Sequence, residues 1–262
     1  MPFADLPDIR LHYREDGETT GAPVVFAHAL GVDLTVWDPV VARLPQGLRM
    51  IRMDMRGHGQ SQASPAPYSM GTLVRDAERL LDHLEVRDCV FVGLSIGGMI
   101  AQGLAVKRLD QIRALVLSNT AAKIGQPQAW ADRIALVQDK GLNAVTEATM
   151  EKWFSRSYRR EHDVQPWCDL IASQSLEGYT GCCAAISGTD FYTPTSGLRL
   201  PALGIAGSED GSTPPDLVRE TVDLIPGSKF ELIRRAGHLP FVEQPDAYAG
   251  ALTNFLREIG HI

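Results

Sequence analysis

One stretch, Cys89 to Ala105, limits what this chain can fold into more than any other. Cys89-Val90-Phe91-Val92 is a run of apolar or β-favouring residues ending at Gly93. Ser95 stands alone two places on, and Ile96-Gly97-Gly98-Met99-Ile100 leads into Ala101-Gln102-Gly103-Leu104-Ala105, which continues as a helix. Strand, sharp turn and helix around Gly-x-Ser-x-Gly form an elbow that pushes the serine hydroxyl into the open. Crowding explains the glycines, because a Cβ at Gly93 or Gly97 would strike neighbouring backbone in so tight a turn. Ser95 also sits at a helix N-terminus, whose free N–H groups can hold a developing oxyanion. The plain alternative is a strand-to-helix turn carrying an ordinary serine. A pattern this short recurs by chance, so it needs partners elsewhere in the chain.

The rest of the chain supplies a setting for the elbow. Ile9 to Tyr13 alternates apolar and polar residues and is read as an edge strand; Val24-Val25-Phe26-Ala27 is a continuous apolar run, read as a central one. Trp37, Val40, Val41 and Leu44 share a helical face within Thr35–Leu44, and Arg49 to Asp54 is a further strand. A polar, glycine-punctuated loop, Asp54 to Ser61, precedes a helix at Met70–Leu84, and Ala114-Leu115-Val116-Leu117 forms the strand after the elbow helix. Strands alternating with helices predict an α/β architecture with a parallel, doubly wound sheet.

From about residue 121 to 197 the rhythm changes to helical patterns without a buried strand, and three of the four tryptophans fall here: Trp130, Trp153 and Trp167. This segment is read as a helical cap inserted into a core made of residues 1–120 and 198–262. An insertion between two strands leaves from their carboxyl ends, where α/β sheets bind ligands. Extra packing helices at one edge are the alternative. Strands resume at Pro201–Gly207 and Lys229–Ile233, with helices at Pro215–Ile225 and Asp246–Ile259.

Composition narrows the partners. A net charge of −7, with no basic run and no aromatic residues interleaved with basic ones, argues against nucleic acid. No apolar run reaches the roughly 20 residues of a membrane span, and the N-terminus lacks the basic and apolar regions of a signal peptide, so a cytoplasmic protein without membrane contact is expected. Cys89, Cys168, Cys182 and Cys183 have neither zinc-site nor redox-pair spacing and are read as reduced packing residues. There is no phosphate loop, dinucleotide fingerprint or metal-ligand cluster, so no cofactor and no metal are expected.

Two residues complete the elbow's chemistry. Asp210, in Gly207-Ser208-Glu209-Asp210-Gly211, and His238, in Ala236-Gly237-His238-Leu239-Pro240, each follow a predicted strand. Parallel strands bring all three residues to one edge of the sheet. A serine hydroxyl becomes nucleophilic when a neutral imidazole takes its proton, and a carboxylate holds that imidazole in the right tautomer. Glu209 competes with Asp210 for this last role. The oxyanion hole is expected from the backbone N–H groups of Leu30 and Ile96. His28, Arg56 and His58 are read as loop supports.

With these residues in view, the sequence resembles the α/β-hydrolase superfamily over nearly its whole length. The resemblance rests on His28-Ala29-Leu30-Gly31, Asp54-Met55-Arg56-Gly57-His58-Gly59-Gln60-Ser61, the Ser95 elbow, Asp210 and His238. Ala29 stands where many members have glycine. Within the superfamily the chain is most similar to the 3-oxoadipate enol-lactonases, through Ser118–Gly125, Met150–Ser155, Leu176–Ile186 and Thr213-Pro214-Pro215. The resemblance implies a Ser95, Asp210, His238 triad, favours Asp210 over Glu209, and implies hydrolysis of 3-oxoadipate enol-lactone in bacterial breakdown of aromatics. A carboxylesterase or lactonase of other specificity is the runner-up; a non-catalytic hydrolase-fold receptor for small molecules is a further alternative. A small anionic lactone as substrate of an acidic protein calls for a local cation. Arg133 is the candidate for clamping its carboxylate with two bonds, with Trp130 and Trp153 as apolar walls. The competing reading is a solvent-facing charge for Arg133 and ordinary packing of the cap for Trp153.

Overall fold

The computed structural model describes residues 2–262. Its eight strands are β1 (Phe3–Leu6), β2 (Ile9–Gly17), β3 (Ala22–Ala27), β4 (Leu48–Met53), β5 (Cys89–Leu94), β6 (Ile112–Ser118), β7 (Ala202–Gly207) and β8 (Lys229–Ile233). They form one sheet in the order β1-β2-β4-β3-β5-β6-β7-β8. The pairs β1–β2 and β2–β4 are antiparallel and the other five are parallel. Every residue of β5 and of β7 is buried, as expected for parallel strands covered on both faces.

The segment Ile9–Tyr13 belongs to β2, which is not an edge strand. Phe3-Ala4-Asp5-Leu6 folds back on it in register, Phe3 opposite His12 and Leu6 opposite Ile9, and takes the edge itself. Four residues are too few for an alternating pattern to stand out, which is why this strand escapes a periodicity reading.

The helices are α1 (Asp38–Val41), α2 (Met70–His83), α3 (Ile96–Lys107), α4 (Pro127–Lys140), α5 (Thr146–Trp153), α6 (Arg156–Glu161), α7 (Gln165–Ala172), α8 (Leu176–Ser187), α9 (Tyr192–Ser196), α10 (Pro215–Asp223), α11 (Pro240–Glu243) and α12 (Pro245–Glu258). The single helix expected over Thr35–Leu44 is instead a 3-10 turn, Leu34–Trp37, followed by the short α1. Asp33 caps the first piece, accepting from Thr35 N, and Pro39, which lacks an N–H, sits in the first turn of the second. Trp37 is fully buried and stacks on Phe241 of α11 with ring centroids 4.3 Å apart. That contact ties the loop after β3 to the C-terminal helices.

Between β6 and β7 the chain is helical, with α4 packed on α8 and no strand. Its buried faces carry Val137, Met150, Trp153, Phe154, Tyr179, Cys182, Cys183 and Ile186. All four cysteines are free thiols, and burial pushes the Cys89 thiol up to about 12. No helix among the described residues is long and apolar enough to cross a membrane.

Candidate active site

Ser95 links β5 to α3 with φ +56° and ψ −117°, a combination that costs a side chain about 1–3 kcal/mol. The glycines around it are needed for space. A Cβ on Gly93 would lie 2.3 Å from the Gly97 carbonyl oxygen, and one on Gly97 would lie 2.4 Å from that of Ala27. This second contact presses the start of α3 against the end of β3, and so brings the His28–Gly31 loop beside the elbow. Thr120 Oγ1 donates to the Ser95 carbonyl at 2.6 Å, and Ser95 N donates to Ser118 O at 3.0 Å.

His28 organises that loop. Its Nδ1 donates to the Ala29 carbonyl at 2.7 Å and its Nε2 accepts from Met55 N at 3.0 Å. A carbonyl only accepts and an amide N–H only donates, so the imidazole is neutral with its proton on Nδ1. Burial pushes its pKa down. The backbone N–H groups of Leu30 and Ile96 donate to no acceptor among the described residues. The Asp54–Ser61 loop is held by Asp54, which accepts from His12 Nδ1 (2.6 Å), Leu34 N (2.8 Å) and Gln60 N (2.9 Å), and by a two-bond Arg56–Asp76 pair.

Asp210 lies on the turn after β7 and is almost fully enclosed by donors. Oδ1 accepts from the N–H groups of Ser212 (2.7 Å) and Thr213 (3.1 Å); Oδ2 accepts from Asn119 Nδ2, Thr213 Oγ1 and His238 Nδ1, each at 2.8 Å. Burial alone would raise this carboxyl's pKa, but the facing His238 charge and the bonds from His238, Asn119 and Ser212 outweigh it and hold the pKa below the usual value. Glu209 turns away and accepts from Arg156 N, so the carboxylate against His238 is Asp210.

His238 follows β8 in a loop set by the helical segment. Its N–H donates to Trp153 O at 2.7 Å, and its ring lies against the Trp153 ring at 5.7 Å between centroids. Glu243 accepts from Gly237 N at 2.6 Å and from Ser155 N at 3.1 Å, and Gly211 N donates to Lys152 O at 2.9 Å. The end of α5 is therefore fastened to both the Asp210 and the His238 loops. A Cβ on Gly207 would lie 1.9 Å from Gly237 O, so those two loops touch only because neither residue has a side chain.

Ser95 and His238 open on one cavity of about 260 Å³. Leu30, Trp130, Trp153, Ile124 and Ile186 supply apolar wall; Arg133, Lys152, Thr149 and Tyr179 supply polar lining, and no Asp or Glu contributes. Arg133 Nε and Nη2 both donate to Tyr179 Oη, at 2.8 and 2.5 Å, and Nη2 also donates to Thr149 Oγ1 at 2.9 Å. The Nε–Nη2 edge of the guanidinium is thus engaged by Tyr179 and Thr149, and Nη1 meets no acceptor among the described residues. Neither Arg133 nor Lys152 meets a carboxylate among the described residues. Trp130 donates Nε1–H to Ile124 O at 2.7 Å, which fixes its ring at the rim. Lys152, Tyr179 and the Asp210-holding Asn119 lie in segments that carry the family resemblance and Thr149 does not, but none of the four gets a role from sequence, because they come from separate helices and loops with no fixed spacing to the elbow. No group of three or more His, Cys, Asp or Glu among the described residues is placed to hold a metal ion.

A family model described as the alpha/beta hydrolase fold matches residues 22–245. The chain belongs to the α/β-hydrolase family. This hydrolase is 32% identical to 3-oxoadipate enol-lactonase 2 of Acinetobacter baylyi, over 94% of its own length and 92% of the relative's. Among solved structures it resembles the enol-lactonase from Burkholderia xenovorans LB400, with TM-score 0.94 and 34% identity over 98% of this chain and all of that one. It also resembles a thermophilic esterase from Thermogutta terrifontis with malate bound, with TM-score 0.91 and 30% identity, covering 98% of this chain and 96% of the other.

Proposed function

We propose that this hydrolase opens 3-oxoadipate enol-lactone to 3-oxoadipate, in the cytoplasm, as a step of bacterial aromatic catabolism by the β-ketoadipate route. Ser95 attacks the lactone carbonyl while His238 Nε2 takes its proton, with Asp210 holding Nδ1. The oxyanion rests on the N–H groups of Leu30 and Ile96. The ring C–O bond then breaks with an enolate as leaving group, which stays tethered to the acyl chain and takes the proton from His238. Water, deprotonated by His238, releases the acyl-enzyme, and the enol tautomerises to the ketone. The helical segment over residues 121–197 acts as the cap that closes the cavity from above.

The observation that carries this reading is the lining of the cavity. In a chain of net charge −7, the pocket holding Ser95 and His238 has two cations and no carboxylate, which suits a small anionic ester. Similarity to the enol-lactonases of two organisms adds to it. A second reading, an esterase acting on open-chain carboxylated esters, is favoured by the likeness to the esterase with malate bound. A panel of authentic enol-lactone, monoaryl succinate and neutral aryl esters separates the two. A kcat/KM for the lactone at least tenfold above the others supports the first; a preference for the open-chain ester supports the second. A fluorophosphonate that fails to label Ser95 defeats both and leaves a binding protein.

A further inference from the structure

A hydroxyl on a phenol ring has one proton to give and two lone pairs to accept with, whereas a guanidinium only gives. Tyr179 Oη already receives two N–H bonds from Arg133, so both of its accepting positions are filled. Its own proton has no acceptor: among the described residues Tyr179 Oη donates to no protein atom. The neighbouring Thr149 hydroxyl, which donates to Val145 O at 2.6 Å and accepts from Arg133, makes no hydrogen bond with Tyr179. Tyr179 is 1% exposed, and it lines the cavity that holds Ser95 and His238. A ligand in that cavity can bring this proton an acceptor, since Tyr179 shares its lining with Arg133, Ser95 and His238.

We propose that Tyr179 is a specificity-determining residue of this site, its O–H donating to the carboxylate of the substrate while Arg133, bound behind it, supplies the positive charge. The inference rests on the reading of the cavity as a site for carboxylated esters, and it is indifferent to whether the ester is a lactone. Two N–H donors from a cation pull electron density from the phenol oxygen and make its O–H a stronger donor. Burial pushes the hydroxyl's pKa up to about 12 against the opposing charge of Arg133, so the proton stays on Tyr179 throughout the neutral range. A buried O–H without a partner is costly, and an acceptor brought by a ligand relieves that cost. Thr149 and Tyr179 together position Arg133, so its charge is held in place before substrate arrives.

The test uses the purified full-length protein, a monoaryl succinate and the corresponding methyl aryl diester, which differ only in the carboxylate. Wild type is expected to favour the monoanion in kcat/KM. In Tyr179→Phe that preference falls by roughly 10- to 100-fold, the range for one hydrogen bond to a charged group, with the loss in KM. A purely structural tyrosine that only accepts from Arg133 predicts that Tyr179→Phe does nothing further in an Arg133→Ala background. The inference predicts an additional loss of preference there, by a factor of three or more. If Tyr179→Phe fails to fold, 3-fluorotyrosine installed at position 179 keeps the ring in place. It is a stronger donor and a poorer acceptor, so KM for the monoanion should drop, and a rise would overturn the inference. So would a wild-type enzyme indifferent to the carboxylate, whereas an enzyme that prefers the monoanion yet ignores the enol-lactone would sink the lactonase reading alone.

Discussion

Replacing Asn119 by glycine tests how the acid of the site is held. Asn119 adopts φ +44°, a left-handed conformation that glycine takes without strain, so the substitution removes the side chain and leaves the backbone where it is. What is lost is the 2.8 Å bond from Nδ2 to Asp210 Oδ2, with weaker ones from Nδ2 to Gly237 O at 3.3 Å and from Ser118 Oγ to Oδ1 at 3.2 Å. A bond to a buried charge is worth about 1.5–3 kcal/mol, and the extra freedom of glycine in the unfolded chain adds about 0.4–1 kcal/mol. Urea unfolding at pH 7 should therefore show a loss of about 2–4 kcal/mol. The pH dependence identifies the cause. Asp210 has a folded pKa below its unfolded one, so its contribution is present above the unfolded value near 4 and is lost as pH falls through the folded value. Asn119→Gly raises the folded pKa toward the unfolded one, so the gap between variant and wild type should be constant above about pH 5 and narrow below pH 4. A loss under 1 kcal/mol at pH 7, or a gap that does not narrow in acid, would refute the assignment of Asn119 as the holder of Asp210.

Other expected outcomes follow from the same geometry. Arg133→Met should cut the preference for a carboxylated over a neutral ester by roughly 30-fold or more, the cost of removing a charge partner of about 2 kcal/mol, as read by kcat/KM on the two substrates. Lys152→Met should lower the same ratio by a smaller factor, because its exposed ammonium is screened by water. His58 is buried with its pKa pushed down to about 3, first by burial and then by the nearby His28. The unfolded chain takes up a proton at this residue below about pH 6.5 while the folded one does not, so stability should fall by up to about 1.4 kcal/mol per pH unit per such histidine from pH 6 to pH 4. His58→Gln should flatten that slope in a series of urea titrations, and an unchanged slope would show that the histidine is not kept neutral. Gly97→Ala, which drives a methyl into the Ala27 carbonyl, should lower Tm and abolish labelling by fluorophosphonate together; a well-folded, fully labelled variant would contradict the crowding argument.

The elbow was legible because its requirements are local: a buried strand, two glycines forced by contact, and a serine between them. Continuous apolar runs likewise revealed β3, β5 and β7, because strands covered on both faces cannot carry polar residues. The antiparallel edge was not legible, since Phe3–Leu6 is too short for periodicity, and its pairing with β2 depends on a turn at Pro7-Asp8. The break in Thr35–Leu44 was signalled by Pro39 but masked by the helical spacing of Trp37, Val40 and Leu44. Composition alone did not separate Asp210 from Glu209; the family resemblance favoured Asp210, and the loop shows the physical reason, turning Asp210 to His238 and Glu209 to Arg156 N. Arg133 was found by its charge, yet its partner Tyr179 lies 46 positions on in α8, and only packing of α4 on α8 brings the two together.

The central claim is that Ser95 is acylated by a carboxylated lactone. Opening a lactone releases no leaving group, so the acyl-enzyme must carry the whole mass of the substrate. The direct measurement is rapid mixing of the protein with authentic 3-oxoadipate enol-lactone, acid quench within the first turnover, and mass spectrometry of the peptide containing Ser95. This peptide is expected to gain the full lactone mass in wild type and to gain nothing in Ser95→Ala, which also ceases to turn over the lactone. Turnover persisting in Ser95→Ala at a rate near wild type, or the added mass appearing on another residue, would contradict it.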